Sequence, residues 1–153
     1  MDEQTTSHAP ATRRILVVAN QTACGQELLA VIDARVREGP CRFTLLVPAT
    51  PPAEHATWTE GEAKALASRR MEEARVHFQE ALGIDVGGVV GDAHPVRAID
   101  DVLIEAPHDE IILSTLPPGV SRWLALDLPS RVRAHVKVPV THVIGGREER
   151  AAS

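Results

Sequence analysis

The stretch "RILVVAN", residues 14–20, decides how this chain is read. Its apolar run ends in a polar residue, Asn20. Such a run predicts a strand buried on both faces, as in a parallel sheet. A helix is expected over 23–37, with Leu28, Val31, Ile32 and Val36 on one face and Gly39-Pro40 as its stop. "CRFTLLVPA", 41–49, reads as a second strand. "TPPAEHAT", 50–57, reads as a loop, because its prolines resist regular structure. A long helix over 58–82 is expected to start at a capping box of Thr57 with Glu60. Ala63, Leu66, Ala67, Ala74, Phe78 and Leu82 form its candidate buried stripe. "IDVGGVVG", 84–91, is a third strand weakened by its glycines. The helix "HPVRAIDDVLIEA", 94–106, buries Val96, Ile99, Leu103 and Ala106. "DEIILST", 109–115, is a fourth strand, 127–136 a further helix, and "VPVTHVIG", 138–145, a fifth strand. Regular alternation of strands and helices predicts an α/β domain, a parallel sheet covered on both faces with right-handed crossovers. Residues 1–13 and 146–153 are expected to be flexible tails around one domain, 14–145.

Composition narrows the function. The 153 residues suffice to bury a core without disulfides or metals. A net charge of -5 argues against a general nucleic-acid binder, and 3% aromatic residues leave few platforms for stacking bases. No apolar run approaches a membrane span. "MDEQTTSHAPATRR" carries no hydrophobic signal segment, and Cys24 and Cys41 have no metal-ligand spacing. A cytoplasmic protein with free thiols and no metal cofactor is expected.

Open α/β sheets take ligands beyond the C-terminal strand ends, where strand order reverses. If the first and fourth strands are neighbours, Asn20, Ser114 and Thr115 face one crevice. Helix N-termini there favour anions. Standard phosphate loops are missing: there is no G-x-x-x-x-G-K-[ST], and "ANQTACGQE" has one glycine where G-x-G-x-x-G needs three. A phospho-acceptor aspartate after the first strand, a G-x-S-x-G elbow and an H-E-x-x-H pair are missing too. No nucleophile–base arrangement is legible, so turnover is not expected.

Two segments, "GDAHPVRAIDDVLIEAPHDEIILST" and "SRVRAHVKVPVTHVIG", together with the element order, resemble the universal stress protein family. The resemblance spans about 14–144 and is specific over about 91–144. It implies a three-layer, doubly wound, five-stranded parallel sheet of order 3-2-1-4-5, the adenine nucleotide alpha hydrolase-like fold. It also implies a homodimer paired through the C-terminal strand. ATP-binding members carry G-x2-G-x9-G-[ST] after the fourth strand. Here those glycines fall on Leu113, Leu116 and Leu126, and the final Ser/Thr falls on Asp127. The family's aspartate at the end of strand 1 is Asn20. Leucines obstruct the close approach of backbone amides to phosphate that glycines permit. The chain is therefore expected to be a divergent member without usual ATP binding, with no cofactor required and an adenine nucleotide as the alternative ligand.

The loop "STLPPGVSRWLALDLPSRV", 114–132, supports two readings. In the first it is a rigid turn, with Pro117-Pro118 fixing the backbone, Ser121 capping a short helix and Trp123 covering the sheet end. In the second it is a reshaped small-molecule site of Asn20, Ser114, Thr115, Gly119, Ser121, Arg122 and Trp123, with Arg122 receiving a carboxylate or phosphate. A surface for a partner protein is a third use. Cys24 sits near a helix N-terminus, where a thiol pKa can fall, but it is read as an ordinary small helix residue rather than a redox site. Asp92 and His94 are read as helix capping, and Asp100-Asp101 as a solvated helix face.

Overall fold

The computed structural model describes residues 11–51 and 59–145. Among them the order is β1 (Arg13–Val18), α1 (Gln26–Glu38), β2 (Cys41–Pro48), α2 (Glu60–Leu82), β3 (Gly87–Gly91), α3 (Pro95–Glu105), β4 (Glu110–Thr115), α4 (Arg122–Ala125), α5 (Leu128–His135) and β5 (Val140–Ile144). All strand pairs are parallel, and the sheet order is β3-β2-β1-β4-β5. The order expected from the resemblance is the order found.

Strand periodicity divides β1 between two cores. Ile15 and Val17 face α1 and α2, packing with Leu45, Ile112, Leu28, Ile32 and Phe78. Leu16 and Val18 face α3, α4 and α5, packing with Leu46, Leu113, Ile99, Trp123 and Val132. Both sets are fully buried, so every position of the apolar run has a packing partner. This is why "RILVVAN" lacks the alternation of a half-exposed strand.

Several boundaries differ from expectation. Arg13, assigned to a tail, opens β1, because its N–H reaches Pro40 O at 3.0 Å and it pairs in register with Cys41. β1 ends at Val18, so Ala19 and Asn20 lie beyond it. The capping box is Thr59 with Glu62: Glu62 N–H donates to Thr59 Oγ1 at 3.0 Å, and Thr59 N–H to Glu62 Oε1 at 2.9 Å. The same Thr-x-x-Glu spacing had suggested Thr57 with Glu60. Thr57 lies outside the described residues, as do the expected tail residues 1–10 and 146–153, and Glu60 is the first residue of α2. Asp100 is not simply solvated. Its carboxylate receives His135 Nε2 at 2.7 and 2.8 Å, tying α3 to α5. Asp92 does not cap α3 directly; its Oδ1 accepts the N–H of the N-cap residue His94 at 2.8 Å, and the His94 side chain makes no cap bond.

Candidate functional site

The switch point lies between β1 and β4, where strand order reverses. Asn20 follows β1 there and is 8% exposed. Its Nδ2 donates to Pro48 O, at the end of β2, at 2.7 Å. Its Oδ1 accepts from the Arg70 guanidinium of α2. An ionised aspartate would offer Pro48 O no donor, so the amide suits this pair of partners. Thr22 Oγ1 and Ser114 Oγ share a hydrogen bond of 2.5 Å, joining the β1–α1 turn to β4. Thr115 Oγ1 donates to Leu116 O at 2.9 Å and lies 2.8 Å from His142 Nε2 on β5. A hydroxyl has one proton, so here it accepts, and His142 carries its proton on Nε2. Burial lowers the pKa of His142, and the charge of Arg133 acts in the same direction.

The chain closes over this crevice. Gly145 N–H donates to Thr115 O at 2.6 Å. A Cβ at Gly145 would lie 2.7 Å from Thr22 Cγ2 and 3.0 Å from Thr22 Cβ, so glycine permits the close seating of β5's end on the β1–α1 turn. Cys24 lies in that turn, before α1 begins. Cys24 is exposed, and its thiol pKa is raised by partial desolvation and by the charge of Glu73, in keeping with an ordinary thiol.

The loop after β4 is a tight turn. Val120 and Ser121 N–H donate to Pro117 O at 3.2 and 3.1 Å, and Gly119 adopts φ 90. Ser121 Oγ caps α4, accepting Leu124 N–H at 3.1 Å. Trp123 is 8% exposed and belongs to the core on the α3 side. Gly119 and Arg122 are exposed. Asp127 has φ 56 at the N-cap of α5, with no side-chain cap bond.

The seven candidate residues therefore separate into three groups. Asn20, Ser114 and Thr115 stand at the strand ends of the switch point without bonding one another: Asn20 is committed to Pro48 and Arg70, Ser114 to Thr22, and Thr115 to His142. Ser121 and Trp123 serve the turn and the core. Gly119 and Arg122 stand on the outer surface. Sequence reading missed Thr22, Arg70, His142 and Gly145 as parts of the crevice. Arg70 had a signal: it continues the spacing of Ala63, Ala67 and Ala74, an arginine inside a buried helical stripe. A separate groove of about 1100 Å³ runs along the β3 edge, from Thr59 and Lys64 to Arg14 and His108.

No family model and no curated protein sequence matches the chain. Solved structures do. A universal stress protein in complex with cAMP matches at 16% identity and TM-score 0.58, over 89% of this chain and 99% of that one. A universal stress protein family member from Burkholderia pseudomallei matches at 11% identity and TM-score 0.59, over 87% and 98%. The universal stress protein from Archaeoglobus fulgidus in complex with dAMP matches at 12% identity and TM-score 0.58, over 87% and 98%. With its 3-2-1-4-5 sheet and this coverage, the chain has the universal stress protein fold.

Proposed function

We propose that the chain is a divergent universal stress protein that binds a small molecule or regulates a partner, without the usual ATP site and without turnover. One observation carries the reading. The polar side chains at the switch point, Asn20, Thr22, Ser114 and Thr115, are all bonded within the chain: Asn20 to Pro48 and Arg70, Thr22 to Ser114, and Thr115 to His142. Leucines stand at 113, 116 and 126, where the ATP-binding pattern has glycines, and Leu113 is fully buried. A triphosphate needs donors free to receive it, and here these side-chain groups already have partners. The cytoplasm is its proposed compartment, and a homodimer through β5 its proposed assembly. The β5 edge supports this pairing: Val140, Thr141 and His142 are half-buried, and Ile144 is 46% exposed.

The alternative is adenine-nucleotide binding in a reshaped loop, with Asn20, Ser114, Thr115, Gly119, Ser121, Arg122 and Trp123 as ligand contacts. The cAMP and dAMP complexes of proteins with this fold favour it. Thermal unfolding with millimolar ATP, AMP or cyclic AMP separates the two. The main reading expects no rise in Tm; a rise with any of them that Arg122→Ala removes establishes the alternative. Native mass spectrometry of freshly purified protein reports the oligomer and any retained ligand.

A further inference from the structure

The groove along β3 continues on the α3 side of the sheet to its N-terminal end, opposite the crevice. Its lining there includes Arg14, Thr44, Val89, Asp101, Glu105 and His108. His108 is 8% exposed, which is unusual for a polar side chain in a surface groove. Its Nδ1 lies 3.0 Å from Ala106 O. A carbonyl only accepts, so Nδ1 holds the proton and Nε2 presents its lone pair. Nε2 is not one of the enclosed unpaired atoms and has no hydrogen-bond partner among the described residues, so it opens to the groove. Burial keeps the ring neutral; the Ala106 bond and Asp109 oppose that, and the Arg14 charge reinforces it.

Arg14 is held beside this ring by its backbone. Its N–H donates to Asp109 Oδ2 at 2.8 Å, and Asp109 N–H donates to Arg14 O at 2.7 Å. Strand alternation sends the Arg14 side chain to the face of Leu16 and Val18, the α3 side. Its guanidinium has no ion pair among the described residues. Across the groove, Asp101 and Glu105 stand one helical turn apart on α3, both exposed.

These groups select a ligand class. A guanidinium receives a carboxylate in bidentate fashion. A neutral imidazole nitrogen and two carboxylates receive a donor with positive charge. A purely anionic ligand meets Asp101 and Glu105, and a purely cationic one meets Arg14. A molecule with both charges close together satisfies both walls. We propose that this end of the groove binds a small zwitterion, an α-amino acid or a compound with the same carboxylate–ammonium pair. Arg14 receives the carboxylate, and His108 Nε2 receives the ammonium with Asp101 and Glu105. The site is separate from the switch point and stands or falls independently of the nucleotide question.

The test uses the full chain in thermal-shift and calorimetric titrations with the common α-amino acids. Ethylamine and propionate serve as the two halves of alanine. At least one amino acid is expected to raise Tm at about 10 mM. The corresponding amine and acid alone bind at least about tenfold more weakly, and Arg14→Ala and Glu105→Gln each weaken the amino acid by about tenfold. Both residues are exposed, and Arg14→Ala keeps the backbone bonds to Asp109, so these variants test the site even if His108→Gln fails to fold. Absence of any response to amino acids overturns the proposal. So does propionate binding as tightly as the amino acid, which marks a plain anion patch, or affinity unchanged in Arg14→Ala.

Discussion

At the residue scale, the crevice is governed by hydrogen-bond arithmetic. Thr22 and Ser114 are 2% and 1% exposed, and their hydroxyls meet at 2.5 Å. Removing one leaves the other buried with an unmet group, which costs about 1–3 kcal/mol, whereas removing both leaves a matched apolar pair. Thr22→Val and Ser114→Ala are therefore expected to be less than additive. A double-mutant cycle by urea unfolding should give a coupling of about 0.5–3 kcal/mol, and strict additivity would show that the hydroxyls do not interact. Asn20 has more at stake, because its amide serves two partners at once. Asn20→Ala strands Pro48 O and withdraws an acceptor from Arg70, so a loss of about 2–3 kcal/mol is expected from the same measurement. If the variant unfolds at the wild-type midpoint, these two bonds contribute nothing in solution.

At the element scale, strands and most helices were legible because their signals are local. "RILVVAN" and "DEIILST" carry unbroken apolar runs, 15–19 and 111–113, since both their faces are covered, and Gly39 and Gly83 end the helices at their C-caps. The start of α2 was misread by two residues, because the Thr-x-x-Glu spacing occurs twice in "ATWTEGEA" and local pattern cannot choose between them. The crevice was legible only in outline. Asn20, Ser114 and Thr115 follow from strand ends and sheet order, but the pairing of Thr22 with Ser114 spans 92 residues of sequence. The role of Gly145 was also hidden, since its neighbour Thr22 comes from the opposite end of the chain. Gly145→Ala would place Cβ 2.7 Å from Thr22 Cγ2. The end of β5 must then lift from the β1–α1 turn, with an expected loss of about 1–3 kcal/mol. Thr22→Ala should relieve part of it, and hydrogen exchange of the backbone amide at position 145, bonded to Thr115 O, should be faster in G145A than in the wild type or in the double variant with Thr22→Ala.

At the scale of the whole molecule, the two ends of the sheet are built differently. The C-terminal end holds hydroxyls and an amide around one guanidinium, Arg70, while the N-terminal end holds a cluster of charges around a buried carboxylate. Glu110 is 3% exposed at the start of β4. Arg35 Nε and Nη2 donate to it at 2.9 and 2.8 Å, Arg13 Nη2 at 2.8 Å, and Thr141 Oγ1 at 2.7 Å. One carboxylate thus joins β1, α1, β4 and β5. Burial alone pushes its pKa up; the Arg35 and Thr141 hydrogen bonds and the charges of Arg35 and Arg13 outweigh that and hold it below the ordinary glutamate value. A depressed folded pKa means that the unfolded chain binds the proton more readily. The stabilisation is therefore complete above the unfolded glutamate pKa of about 4.3 and is lost as pH falls through the lower folded value. Glu110→Gln removes the charge and leaves Arg35 facing a neutral amide in a largely dry site. A loss near the lower end of about 3–5 kcal/mol is expected at pH 7, because water reaches Arg13. Urea unfolding between pH 7 and pH 3 tests this directly: the gap between wild type and E110Q should shrink on acidification, and a gap that stays constant would mean that the charge of Glu110 does not hold the four elements together.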